Sequence, residues 1–126
     1  MKAFLDEILT YLVDNDIGTI QTDLFGLTLP SKPFICTAVS QVGGFPGDLG
    51  DPVRHPSIQI LHRCTDPAAG MLKIREIYLL LNDKWNVLPS FSGRFTPVNE
   101  LGAFFKDENN HTVFTLNFTF DTTHSA

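Results

Sequence analysis

Leu5, Ile8, Leu9, Leu12 and Val13 recur at three- and four-residue steps near the start of the chain, with Asp6, Glu7 and Asp14 between them. That spacing predicts a helix with one apolar stripe, and Gly18 stands where a stop signal belongs. A short strand-like run covers Leu24 to Leu29 and ends at Pro30. A longer run, Phe34 to Val42, is mostly apolar at both parities, the pattern of a strand covered on both faces. In the next strand, Ser57 to Cys64, alternation puts Ile58, Ile60, His62 and Cys64 on one face and Gln59 and Arg63 on the other. Asp66 then occupies an N-cap position and Pro67 the first helical position. The stripe Leu72, Ile74, Ile77, Tyr78 and Leu81 carries this second helix to about Lys84. Beyond Trp85 come a strand from Phe95 to Val98, interrupted by Pro97, and a hairpin joining Leu101–Lys106 to Thr112–Phe120 through Asp107–His111. Phe114, Leu116, Phe118 and Phe120 alternate with Thr115, Asn117, Thr119 and Asp121, which describes a half-buried antiparallel strand. The sum predicts an α+β fold: a single domain over residues 1–126 with an antiparallel-rich sheet and two helices packed on one face.

A chain of 126 residues supplies one core and not two. With 43% apolar and 18% charged residues it has a globular balance. Eleven of its fourteen aromatics are Phe, more than one such core needs, which points to apolar surface that a partner covers. The net charge of −5 is spread along the chain and shows no basic face for phosphates. No apolar run is long enough to span a membrane, and Met1–Glu7 lacks the uninterrupted apolar core of a signal peptide, so synthesis in a cytoplasm and no membrane partner are expected. Two cysteines, Cys36 and Cys64, are too few for a disulfide framework and read as small buried apolar residues.

The stretch Gly43 to Pro56 holds four glycines and three prolines, which excludes regular helix or sheet. A loop of that length in a small domain is a surface connection or an arm that orders against a neighbour, anchored by Phe45 and Leu49. Arg54, Arg63, Arg75 and Arg94 read first as solvated or salt-bridged residues. In an acidic oligomer an arginine facing a neighbour's carboxylate also fixes orientation through its planar fork. Phe45, Leu49, Arg54, Arg63 and Arg94 are therefore candidate interface residues.

Catalytic chemistry finds no foothold. There is no G-x-S-x-G elbow, no phosphate-binding G-x-x-x-x-G-K-[ST] and no H-E-x-x-H helix, so no enzyme activity and no cofactor are expected. Cys36, His55, His62 and Cys64 have the side chains of metal ligands, and His62 and Cys64 share a strand face to which Cys36 on an adjacent strand could add. Closely spaced pairs of the C-x-x-C kind are missing, however. Asp48 and Asp51 lack the acceptor pattern of an EF-hand.

The glycine pair Gly43-Gly44 after a strand, Ile58-Gln59-Ile60 followed by Arg63, the long helix to Lys84, Leu101-Gly102 before the closing hairpin and Asn117-Phe118 occur in an order that resembles the tail-terminator (minor capsid, head-tail joining) proteins of long-tailed bacteriophages. The resemblance covers roughly Phe34 to Phe120. It departs from the family at Asp107–His111, which has no Arg. It implies a structural virion protein that forms a hexameric ring on the head-proximal end of a tail tube, ends tube polymerisation and offers the surface on which the head docks. It adds Asn117, on the solvent face of the closing strand, to the candidate interface residues. The implied partners are other copies of the chain, the major tail tube protein, a head-connector or head-closure protein, and duplex DNA passing through the lumen without sequence-specific binding. The alternatives are another neck component, such as a tail-completion or head-closure protein, or a small metal- or ligand-binding domain built on Cys36, His62 and Cys64.

Overall fold

The computed structural model describes residues 4–27, 29–32, 34–42, 57–89, 93–99 and 101–122. Helix α1 (Phe4–Asp14) is followed by strands β1 (Leu24–Gly26), β2 (Cys36–Val42) and β3 (Ser57–Cys64), helix α2 (Pro67–Leu81), and strands β4 (Gly93–Pro97), β5 (Phe104–Lys106) and β6 (Thr112–Thr122). The strand order is β1-β2-β3-β6-β4, with β5 also paired to β6. Every pairing is antiparallel except β1 with β2. The predicted α+β architecture is the one observed.

β6 is the strand on which the sheet turns. Along one edge it pairs with β3 from Ser57↔Thr119 to Cys64↔Thr112. Along the other, β4 takes its far half from Phe118 to Thr122 and β5 its near half from Thr112 to Phe114. Its alternation has the predicted consequence: Phe114, Leu116, Phe118 and Phe120 are buried on the helical side of the sheet. There Phe120 meets Phe4 of α1 at 5.1 Å and Phe95 of β4 at 4.8 Å between ring centroids. Ile8 and Leu12 of α1 and Ile74, Ile77 and Leu81 of α2 complete this core. The Tyr11 hydroxyl ties the helices together by donating to the Leu80 carbonyl at 2.8 Å.

Local signals set most element ends. Asp66 caps α2 as expected, accepting from the Ala68 amide at 3.1 Å, with Pro67 in the first turn. The helix ends at Leu81, short of Lys84. The Asn82 amide still reaches the Tyr78 carbonyl, but Asp83 turns left-handed at φ 57°. α1 likewise stops before Gly18. The chain reverses at Asp16 (φ 63°), and Gly18 serves a close approach, since a Cβ there would stand 2.8 Å from the Asp23 carboxylate. β1 ends at Gly26 rather than Leu29 because Leu27 itself takes φ 82°.

Gly70 shows how tightly α2 is seated. A Cβ at this position would lie 2.4 Å from Cys64 Sγ and 3.0 Å from the Phe114 ring. Alanine in place of a helical glycine gains about 1 kcal/mol of propensity, whereas overpacking costs about 1–3 kcal/mol. Packing is the larger effect at such a distance. Gly70→Ala is therefore expected to lower the urea midpoint, and Gly70→Ala combined with Cys64→Ala to lose less stability than the two single changes summed. Simple additivity would show that the helix does not press on Cys64.

Candidate functional site

Both helices lie on one side of the sheet, so they leave its other side uncovered. Strand register arranges that side in rows: Ser40, Gln59 and Asn117; Ser57, Thr119 and Thr96; Ala38, Leu61 and Thr115; Asp121 beside Arg94. Hydroxyls and amides dominate. The two charges sit within reach of local partners. Asp121 accepts from the Thr96 hydroxyl at 3.2 Å, and Arg94 reaches Asp83 at 3.3 Å while its guanidinium lies 5.1 Å from the Trp85 ring centroid. Such a face can hydrogen-bond, and among the described residues it sets no nucleophile beside a base.

At one end of this face the polarity changes. The segment joining the parallel strands β1 and β2 has no helix to satisfy its backbone, and Arg63 does that work. Its Nε donates to the Phe34 carbonyl at 2.7 Å and one terminal nitrogen donates to the Pro30 carbonyl and lies 3.5 Å from Cys36 Sγ. Only 7% of Arg63 is exposed. Phe34 then stacks on His111 of the closing turn at 5.2 Å. In that turn Asp107 accepts from the His111 and Asn109 amides at 2.8 and 3.0 Å. These amides, His111 first, hold its carboxyl below the usual carboxylate range.

Asn117 has a comparable internal task. Between the end of β4 and the start of β5 the outer edge of β6 lacks a strand, and Asn99 fills the gap with its side chain. Asn99 Oδ1 accepts from the Asn117 amide at 2.7 Å, and its Nδ2 donates to the Thr115 carbonyl at 3.2 Å. Val98 and Ala103 supply the flanking ladder bonds, to the Asn117 carbonyl and from the Thr115 amide. The sequence offered no signal for Asn99, because a side chain standing in for backbone depends on two strands that are distant in the chain.

The six candidate interface residues thus fall into two groups. Phe45, Leu49 and Arg54, like the whole Gly43 to Pro56 stretch, lie outside the described residues. Arg63, Arg94 and Asn117 share the sheet face away from the helices, each bonded within its own chain.

The possible metal ligands do not converge. Cys36 pairs with Arg63 and faces away from the helices, whereas His62 and Cys64 face the core. His55, Asp48 and Asp51 lie outside the described residues. Among the described residues no group of three His, Cys, Asp or Glu is placed to hold a metal ion. Burial pushes both thiols up, more than Arg63 pulls the Cys36 thiol down, so neither is a ready thiolate at neutral pH. No helix among the described residues is long and apolar enough to cross a membrane.

His62 is buried with its Nδ1 2.9 Å from the Thr37 hydroxyl. Desolvation, reinforced by the Lys73 charge, lowers its pKa from 6.5 to about 4. The unfolded chain therefore binds the extra proton first as pH falls. The stability from keeping the ring neutral is fully present above pH 6.5 and is lost as pH drops through about 4.

Arg63→Met should cost about 2 kcal/mol or more in urea unfolding, the worth of charge-assisted bonds to partly buried carbonyls, and should speed amide exchange in residues 29–36; an unchanged midpoint would contradict the bracing role. Between pH 7 and pH 4.5 the native protein should lose up to about 3 kcal/mol more stability than His62→Gln, the ceiling set by the pKa difference. Parallel loss in both proteins would remove His62 as the cause.

Comparison with protein families returns one described as bacteriophage tail terminator protein, whose model matches residues 11–124. Comparison with individually curated proteins returns no match.

Proposed function

Because the chain belongs to the bacteriophage tail terminator family, a structural component of the phage tail, we propose that it forms a hexameric ring on the head-proximal end of the tail tube, where it stops polymerisation and presents the surface on which the head docks. The observation that carries this reading is the family match over residues 11–124 of the 126-residue chain. Size agrees. A compact chain of this length has a radius of gyration of roughly 14 Å, so six such spheres in contact leave an opening of roughly their own ~36 Å diameter. Interdigitation narrows that opening without closing it to duplex DNA. The net charge of −5 suits a lumen through which phosphates pass without sticking. The major tail tube protein is then the partner below and a head-connector or head-closure protein the partner above.

Electron microscopy of lysates from phage carrying an early stop codon in this gene tests the proposal. Overlong tails that never join heads are the expected result. Tails of normal length accumulating unjoined would move the protein to another neck position, and normal virions would refute a role in the tail end.

A further inference from the structure

Two features at opposite edges of the sheet leave apolar surface exposed. At the β1 edge an open groove of about 510 Å³ runs between α1 and β1, lined by Leu5 and Leu9 from the helix and by Ile20 and Leu27, with Asp6 on its wall. Leu27 is 69% exposed and held at φ 82°, a conformation that is costly for a leucine and marks a position under constraint. At the other edge β5 pairs with β6 and carries Phe104 and Phe105, 60% and 46% exposed. Strand alternation puts Phe104, which stacks on Phe114 at 5.9 Å, and Lys106 on the helical side of the sheet. The groove has its α1 wall on that same side.

Residues 4–27, which include the groove lining, hold five acidic and no basic side chains, and β5 carries Lys106 two residues from Phe104, ahead of Asp107 and Glu108 in the turn. We propose that Phe104 of one copy enters the α1–β1 groove of a neighbouring copy, with Lys106 facing Asp6 there. The inference rests on the ring reading above and gives that ring its contact. Two subunits set edge to edge with their helices on the same side bring the aromatic to the groove, and covering the exposed 60% of Phe104 removes ~90–150 Å² from water. Because anchor and groove are different surfaces, the contact is heterologous. An open oligomer keeps one unused anchor at one end and one unused groove at the other until the rotation closes a ring.

Placing p-benzoylphenylalanine at position 104 keeps an aromatic anchor and makes it photoreactive. Irradiated virions are expected to give a ladder of multimers beyond dimer on a denaturing gel, with cross-links mapping to Leu5, Leu9, Ile20 or Leu27. Cross-links confined to the same chain, or joining β5 to β5 in dimers only, would overturn the proposal. Phe104→Asp should lower incorporation into virions by more than about tenfold, the loss expected for one buried aromatic anchor, while its urea midpoint stays unchanged. Undiminished incorporation would also overturn it. If the stop-codon phage makes overlong tails and these cross-links are missing, the terminator reading stands and this contact falls.

Discussion

β6 must satisfy a ladder on both edges while burying one side of every residue pair, and that double obligation places the rest of the domain. On one edge β3 runs beside it over eight residues. On the other, no single strand suffices. β4 and β5 each take one end, and Asn99 supplies from its side chain the donor and acceptor that the missing stretch of strand would have offered. Unpaired backbone groups in such a place are expensive. The buried phenylalanines of β6 then determine where α1 and α2 sit, because a sheet with one apolar face can bury it only against the helices.

Arg63 extends this logic to the parallel pair β1–β2. A crossover between parallel strands usually carries a helix that satisfies its own backbone, but the nine residues between these strands are too few for one. An arginine whose stem is anchored on β3 bridges that segment instead, by reaching the Pro30 and Phe34 carbonyls. The guanidinium suits this task because its forked donors are fixed in one plane and never lose their proton.

Much of this was legible in the sequence, for physical reasons. The alternation of β6, the stripe of α1 and the Asp66-Pro67 start of α2 are local patterns, and local patterns survive folding unchanged. Helix ends are less legible: Gly18 and Lys84 lie past the true reversals at Asp16 and Asp83, because Asp tolerates a left-handed backbone at modest cost. Arg63 was legible in direction but not in burial. Its alternation with Ile60 and His62 gave its face, whereas the crossover that covers it comes from residues nearly thirty positions earlier. The exposed Phe104 and Phe105 were foreshadowed only by the excess of phenylalanine, since composition counts apolar surface without locating it.

The order of the strands in space, set against their order in the chain, also bears on synthesis. β3 emerges from the ribosome well before its neighbour β6, with α2, β4 and β5 between them. Until residues 112–119 arrive, β3 has an open edge and an apolar face with Ile58 and Ile60. An unpaired strand of this kind is a template for another chain's strand. The unfinished sheet of the nascent chain is therefore an adhesive surface, and only the last strand closes it.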